Sequence, residues 1–155
     1  MEVEGIPMGI RYQVVIDTPD PNELARFWAR ALGYVVEDHR PLLERMLDAR
    51  EIAPDRVVRE DDRLYWLDFA AIREPAAPVD ETTGIAQGDR IVFQRVPEPK
   101  TVKNRLHLDV EVGPQRREAE IARLESLGAR RLYDGDLGGP WTTMADPHGN
   151  EFCVQ

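Results

Sequence analysis

The chain has 155 residues and carries 20 basic against 29 acidic side chains, a formal net charge of −9. That length holds one domain or two small packed halves, with enough interior to fold without disulfides or a structural metal. The acidic balance argues against a nucleic-acid or anionic-membrane partner. The lone cysteine, Cys153, excludes an internal disulfide and fits a reducing, cytoplasmic setting. The acidic opening MEVEGIPMGIRY does not read as a secretory signal. No apolar run approaches the ~18 residues of a membrane helix.

Taken in chain order, Gln13-Val-Val-Ile-Asp-Thr reads as a short strand rich in β-branched residues. Asp20-Pro21-Asn22-Glu23 then supplies an N-cap, a first-turn proline and a capping-box acid. Leu24, Phe27, Trp28, Ala31 and Leu32 share one helical face, and Gly33 offers a left-handed C-cap. A strand is predicted at 34–37 and an additional helix at 41–50, with Leu42, Leu43, Met46 and Leu47 as its apolar residues. The polar stretch 53–63 has no assignable element. Strands follow at 67–73 and 90–96, joined by a Pro-rich loop at 74–89 that stretches their hairpin. The second half repeats the order: a strand from His107, a helix begun by Pro114 with Ile121, Leu124 and Leu127 as core contacts, then strands at 130–133, 141–145 and 151–155. Gly138-Gly139-Pro140 reads as a loop and Asp146-Pro147-His148-Gly149-Asn150 as a turn. His148 in that turn and His39 before a proline are both expected to be solvated.

The two halves share one plan. Gln13 precedes Gly33 by 20 positions, and His107 precedes Gly128 by 21. Each half reads β-α-β-β-β, over about 9–98 and 104–155, with the first enlarged by an inserted segment at 38–66. Strand alternation puts Tyr12, Val14, Ile16, Ile91, Phe93, Leu106, Leu108, Val110, Phe152 and Val154 on an apolar face toward the helices. The opposite face carries Gln13, Asp17, Gln94, Arg105, His107, Asp109, Glu151, Cys153 and Gln155. Such a face is either the solvated back of an antiparallel sheet or a polar pocket.

The doubled plan, with DTPDPNELARFWARALG (17–33), FQRVPEPKTVKNRLHLDV (93–110) and WTTMADPHGNEFCV (141–154), resembles the glyoxalase-like domains of the vicinal-oxygen-chelate superfamily. The resemblance implies an α+β fold in which two βαβββ modules form a curved half-barrel sheet around a polar cleft. It also implies that a metal can sit in that cleft, held from the first and fourth strands of each module. The matching positions here are Gln13 and Gln94 in the first module, His107 and Cys153 in the second, and the four side chains are expected within about 4–7 Å of one another. Glyoxalase I-like enzymes of the superfamily carry a carboxylate on each fourth strand; Gln94 and Cys153 replace both here. Two amides, an imidazole and a thiol are a poor set for nickel, manganese or iron, so no metal cofactor is expected. Zinc, which accepts N and S ligands, is the divalent ion this set would favour through His107 and Cys153.

Three functional readings fit. The first is metal-independent binding of a small molecule, with Trp66 and Trp141 as apolar walls and Arg95 and Arg105 holding an anionic group. The second is a lyase or isomerase acting on a small carbonyl compound, with His107 as acid or base and Glu151 beside it. The third is a vestigial, non-catalytic module. A symmetric homodimer is expected, with the inserted helix around Leu43 and Met46 as one interface.

Overall fold

A computed structural model describes residues 10–155. Gly9, the expected start of the first module, and most of the opening stretch lie outside the described residues. The β-branched run after Gln13 forms β1 (Val14–Thr18), alternately half-buried and exposed as a one-sided strand requires. It leads into α1 (Pro21–Leu32), where the Asp20 carboxylate accepts the Glu23 N–H at 3.0 Å and Gly33 ends the helix at φ 69°. Then come β2 (Val35–Val36), α2 (Arg40–Asp48), a 3-10 turn (Pro54–Arg56), β3 (Val57–Glu60), β4 (Arg63–Trp66), β5 (Phe69–Arg73) and β6 (Arg90–Arg95). The second half comprises β7 (Asp109–Val110), α3 (Arg117–Ser126), β8 (Arg130–Asp136), β9 (Pro140–Ala145) and β10 (Glu151–Val154).

Two four-stranded sheets result, ordered β1-β6-β5-β2 and β7-β10-β9-β8. In each, the first strand runs parallel to the last and every other neighbour is antiparallel. The α+β repeat read in the sequence is therefore one βαβββ topology used twice. Leu24, Phe27 and Trp28 of α1 and Ile121 and Leu124 of α3 join Phe93, Met144, Phe152 and Val154 of the sheets in a single apolar core. Each such side chain contributes roughly 1.5–3 kcal/mol through burial. Trp28 links the halves: its rings lie 4.9 Å from Phe152, edge-on, and its Nε1 donates to the buried Asp146 carboxylate at 3.0 Å. Arg123 of α3 donates to the carbonyls of Arg30 and Ala31, which the end of α1 leaves without intrahelical partners. The core thus lies on the helix side of the sheets, and Gln13, Asp17, Gln94, His107 and Asp109 remain exposed on the other side.

Several expectations need correction. Tyr12 and Leu106 are 92% and 88% exposed, because β1 and β7 start after them and no helix covers either residue. α3 begins at Arg117; residues 114–116 form a turn, and Leu127 sits half-buried at the C-cap. Residues 53–63 hold the 3-10 turn and the β3–β4 hairpin, closed by Asp61 and Asp62 at φ 45° and 61°, the signature of a two-residue hairpin turn. α2 does not present spare apolar surface: Leu43 is 0% exposed, and Leu42, Met46 and Leu47 are half-buried. Neither His39 nor His148 is solvated. The side chain of His39 is 11% exposed and pairs at 2.7 Å with Glu37, whose carboxylate also binds Arg90 and the Ala86 N–H. The His148 side chain is 10% exposed, with Nδ1 against the Thr18 hydroxyl and Nε2 3.0 Å from Glu23. His148 answers polar groups 130 and 125 positions away, whereas His39 answers a buried carboxylate only two residues before it.

Candidate functional site

The strand register builds the site. β10 lies between β7 and β9, with Cys153 directly opposite Asp109 on one side and Thr143 on the other. Thr143 is in turn opposite Tyr133 on β8. Asp109, Cys153, Thr143 and Tyr133 therefore form one rung across all four strands of the second sheet, on the face away from the core. All four line an open cavity of about 480 Å³, together with His107, Trp141 and Glu151. His107 precedes β7 by two residues, so its side chain falls on the same face as that of Asp109; its Nε2 lies 3.3 Å from Asp109 Oδ1. The N–H of Cys153 donates to the Leu108 carbonyl at 2.9 Å, which locks His107 and Asp109 in place beside the thiol. Trp141 faces Gly135 on the neighbouring strand, and its indole occupies the space a side chain there would fill.

Glu151 has a largely structural setting. Lys100 donates to it at 2.9 Å and the Asn104 N–H at 3.0 Å, clipping the inter-module segment onto the start of β10. Burial alone would raise its carboxyl, but the Asn104 N–H and the Lys100 ammonium hold it below the usual glutamate range. At neutral pH it is an anion.

The register separates the remaining expected residues. Gln13 falls beside Arg90 and accepts its N–H at 2.8 Å, whereas Gln94 lies opposite Asp17, four residues further along β1. Four residues of strand span about 13 Å, so Gln13 and Gln94 do not sit side by side. Gln13 lines a different cavity, about 760 Å³, that has no lining residue in common with the first. Its central polar groups are already engaged: Arg90 binds both Gln13 and the buried Glu37. Arg95 is exposed and 3.7 Å from Asp68, Arg105 is exposed, and neither lines these two cavities. Trp66 packs edge-on to Phe69 in the inserted hairpin, its carbonyl accepting from Asn22. The expected gathering of Gln13, Gln94, His107 and Cys153 thus does not occur within one chain. Those four positions do not fit a nickel, manganese or iron centre: two lie outside the cavity, and the two inside it offer one imidazole and one thiol. Tyr133 and Lys103 were not anticipated as cavity residues; an irregularity between Arg131 and Tyr133 breaks the two-residue period of β8 at that point.

The doubled βαβββ topology with an open polar sheet face is the architecture that the resemblance implies. The chain belongs to the Glyoxalase-like domain family, which matches residues 13–155. Similar solved structures include a glyoxalase/bleomycin resistance protein/dioxygenase family enzyme from Burkholderia phytofirmans, 14% identical, with a TM-score of 0.53 over 92% of this chain and 94% of the other. The fosfomycin resistance protein FosX from Mesorhizobium loti is 10% identical, with a TM-score of 0.53 over 99% and 92%. A mutant of FosX from Listeria monocytogenes, in complex with Mn(II) and 1S,2S-dihydroxypropylphosphonic acid, is 8% identical, with a TM-score of 0.56 over 96% and 90%. At such identities these likenesses establish the fold. No curated protein matches the chain in sequence. Among the described residues, no helix is long and apolar enough to cross a membrane.

Proposed function

We propose that this chain binds a small molecule in the second-module cavity, in the cytoplasm, with its thiol reduced. One observation carries the reading: His107, Trp141, Glu151 and Cys153, all singled out as site residues from the sequence, line the same cavity of about 480 Å³. That volume suits a small ligand, and an indole wall beside an imidazole and a thiol gives both apolar area and fixed polar anchors. The test is a fragment screen of small carbonyl compounds and carboxylates, followed by amide chemical shifts in metal-free protein. Shifts clustered around His107, Trp141 and Cys153, and lost in Trp141→Ala, support the assignment. Shifts clustered around Gln13 and Arg90 overturn it.

A lyase or isomerase reading is favoured by one contact, the 3.3 Å pair of His107 with Asp109, which orients an imidazole within the same cavity. Turnover of a carbonyl ligand found in the screen, abolished in His107→Ala with binding retained, would establish it. We also propose a homodimer that covers the open face, because Leu137 and Tyr133 on the cavity wall are 88% and 53% exposed. Light scattering should give twice 17.7 kDa and a lower mass for Leu137→Glu; the single-chain mass for the unaltered protein would refute the dimer.

A further inference from the structure

We propose that the ligand of the second-module cavity is an aromatic monocarboxylate, its ring against Trp141 and Tyr133 and its carboxylate on the ammonium of Lys103. The inference rests on the cavity reading above and names the chemical class that the cavity takes. The anion contact falls on neither Arg95 nor Arg105, since neither lines the cavity. The strands give the cavity two unlike ends. Its middle rung is Asp109, Cys153, Thr143 and Tyr133. His107 and Glu151 each stand two residues before that rung, at one end. Trp141 and Gln155, on the antiparallel pair β9 and β10, stand at the other. Four residues of β10 separate the ends, about 13 Å. Tyr133, Leu137 and Trp141 make the β8–β9 side apolar and aromatic, and a flat ring meets such a wall by stacking or edge-on.

Charge decides the polar end. Glu151 is already answered by Lys100 at 2.9 Å and by the Asn104 N–H at 3.0 Å, so it neither draws a ligand cation nor stands as a bare negative charge. The same Asn104 holds Asn150 at 2.9 Å through its side chain and thereby fixes the adjacent Lys103 at this end. Among the described residues the Lys103 ammonium pairs with no carboxylate and donates to the Asn104 carbonyl at 3.4 Å. An ammonium has three hydrogens to give, so Lys103 is the unspent charge of the cavity. Asp109, 3.3 Å from the His107 imidazole, penalises a second anionic group on the middle rung, which selects a monocarboxylate over a dicarboxylate. The net charge of −9 opposes anions at long range, but salt screens it beyond about 8 Å. The contact with Lys103 is made at about 3 Å, where a charge-assisted hydrogen bond forms.

Hydrocinnamate is the probe, compared on the unaltered protein with its neutral amide, with phenylpropylamine, with butanoate and with phenylsuccinate. Affinities come from calorimetry and the location from amide and indole N–H shifts. The acid should bind about five- to tenfold more tightly than the amide, with the amine weaker still. Butanoate, which lacks the ring, and phenylsuccinate, which adds a second carboxylate, should both bind more weakly than hydrocinnamate. Lys103→Met should bring the acid down to the level of the amide, and Lys103→Arg should keep the preference, each with an unchanged circular dichroism spectrum. Equal binding of acid and amide overturns the class, as does tighter binding of the amine or a preference that survives Lys103→Met. Absence of hydrocinnamate binding in the low millimolar range also overturns it. If acid and amide shift His107, Trp141 and Cys153 equally, the ligand class fails and the cavity reading stands. If every probe shifts Gln13 and Arg90 instead, the cavity reading itself fails.

Discussion

Glu37 offers a quantitative test of how the first module is held together. Its side chain is fully buried, with His39, Arg90 and the Ala86 N–H all bonded to the carboxylate. Burial by itself would raise this carboxyl; the bonds from His39, Arg90 and Ala86 outweigh it and bring it down from 4.5 to about 2. A carboxyl lowered on folding stabilises the protein above its unfolded value, and that contribution fades as pH falls from about 4.5 toward 2. At 1.36 kcal/mol per unit, the ionised form is worth about 3 kcal/mol at pH 7, falling to about 1.4 kcal/mol at pH 3. Glu37→Gln keeps the shape and an oxygen for the Ala86 N–H but never ionises, and it leaves Arg90 without its counter-charge. Urea unfolding of both proteins should therefore show a difference of about 3 kcal/mol at pH 7 that shrinks by roughly half at pH 3. A difference that is the same at both pH values would refute the electrostatic account and leave only packing as the cause.

Other perturbations follow the same logic. Leu43→Ala should cost about 2–5 kcal/mol in urea unfolding without lowering the oligomeric mass, because Leu43 is buried against its own chain. Gly84→Ala should cost at least about 2 kcal/mol, visible as a lower Tm: its φ is +77° and a Cβ there would lie 1.8 Å from the Asp38 carbonyl oxygen. Trp28→Phe should cost about 1–3 kcal/mol by removing the indole N–H from the buried Asp146, and a cost confined to a few tenths would show that the link between the halves is apolar alone.

What could be read from the sequence was local. The cap at Asp20, the apolar stripe from Leu24 to Leu32 and the stop at Gly33 are written within 14 consecutive residues, and each appears as expected. Alternation likewise put Cys153, Asp109 and His107 on one face. What could not be read was register between strands far apart in the chain. The resemblance pairs Gln13 with Gln94, and each sits on the polar face of its strand, but neither family position nor parity sets the offset along the strand, and Arg90 is the true neighbour of Gln13. His148 was misjudged for a related reason: its turn is local, whereas its partners Thr18 and Glu23 lie 130 and 125 positions away. The hairpin at β3–β4 carries no two-residue period to mark it, because apolar and charged residues come in pairs, Val57-Val58 and then Arg59-Glu60, rather than alternating singly.

The close approach of the Trp141 ring to Gly135 reaches further than one residue pair. A Cβ at that position would stand 2.2 Å from the Trp141 ring, so any larger residue there must drive the indole off the neighbouring strand. Position 135 thereby acts as a size dial for the cavity that Trp141 walls, set from a residue with no side chain of its own to touch a ligand. Descendants of this scaffold could change what they admit by mutating that single position, leaving His107, Asp109 and Cys153 as they are.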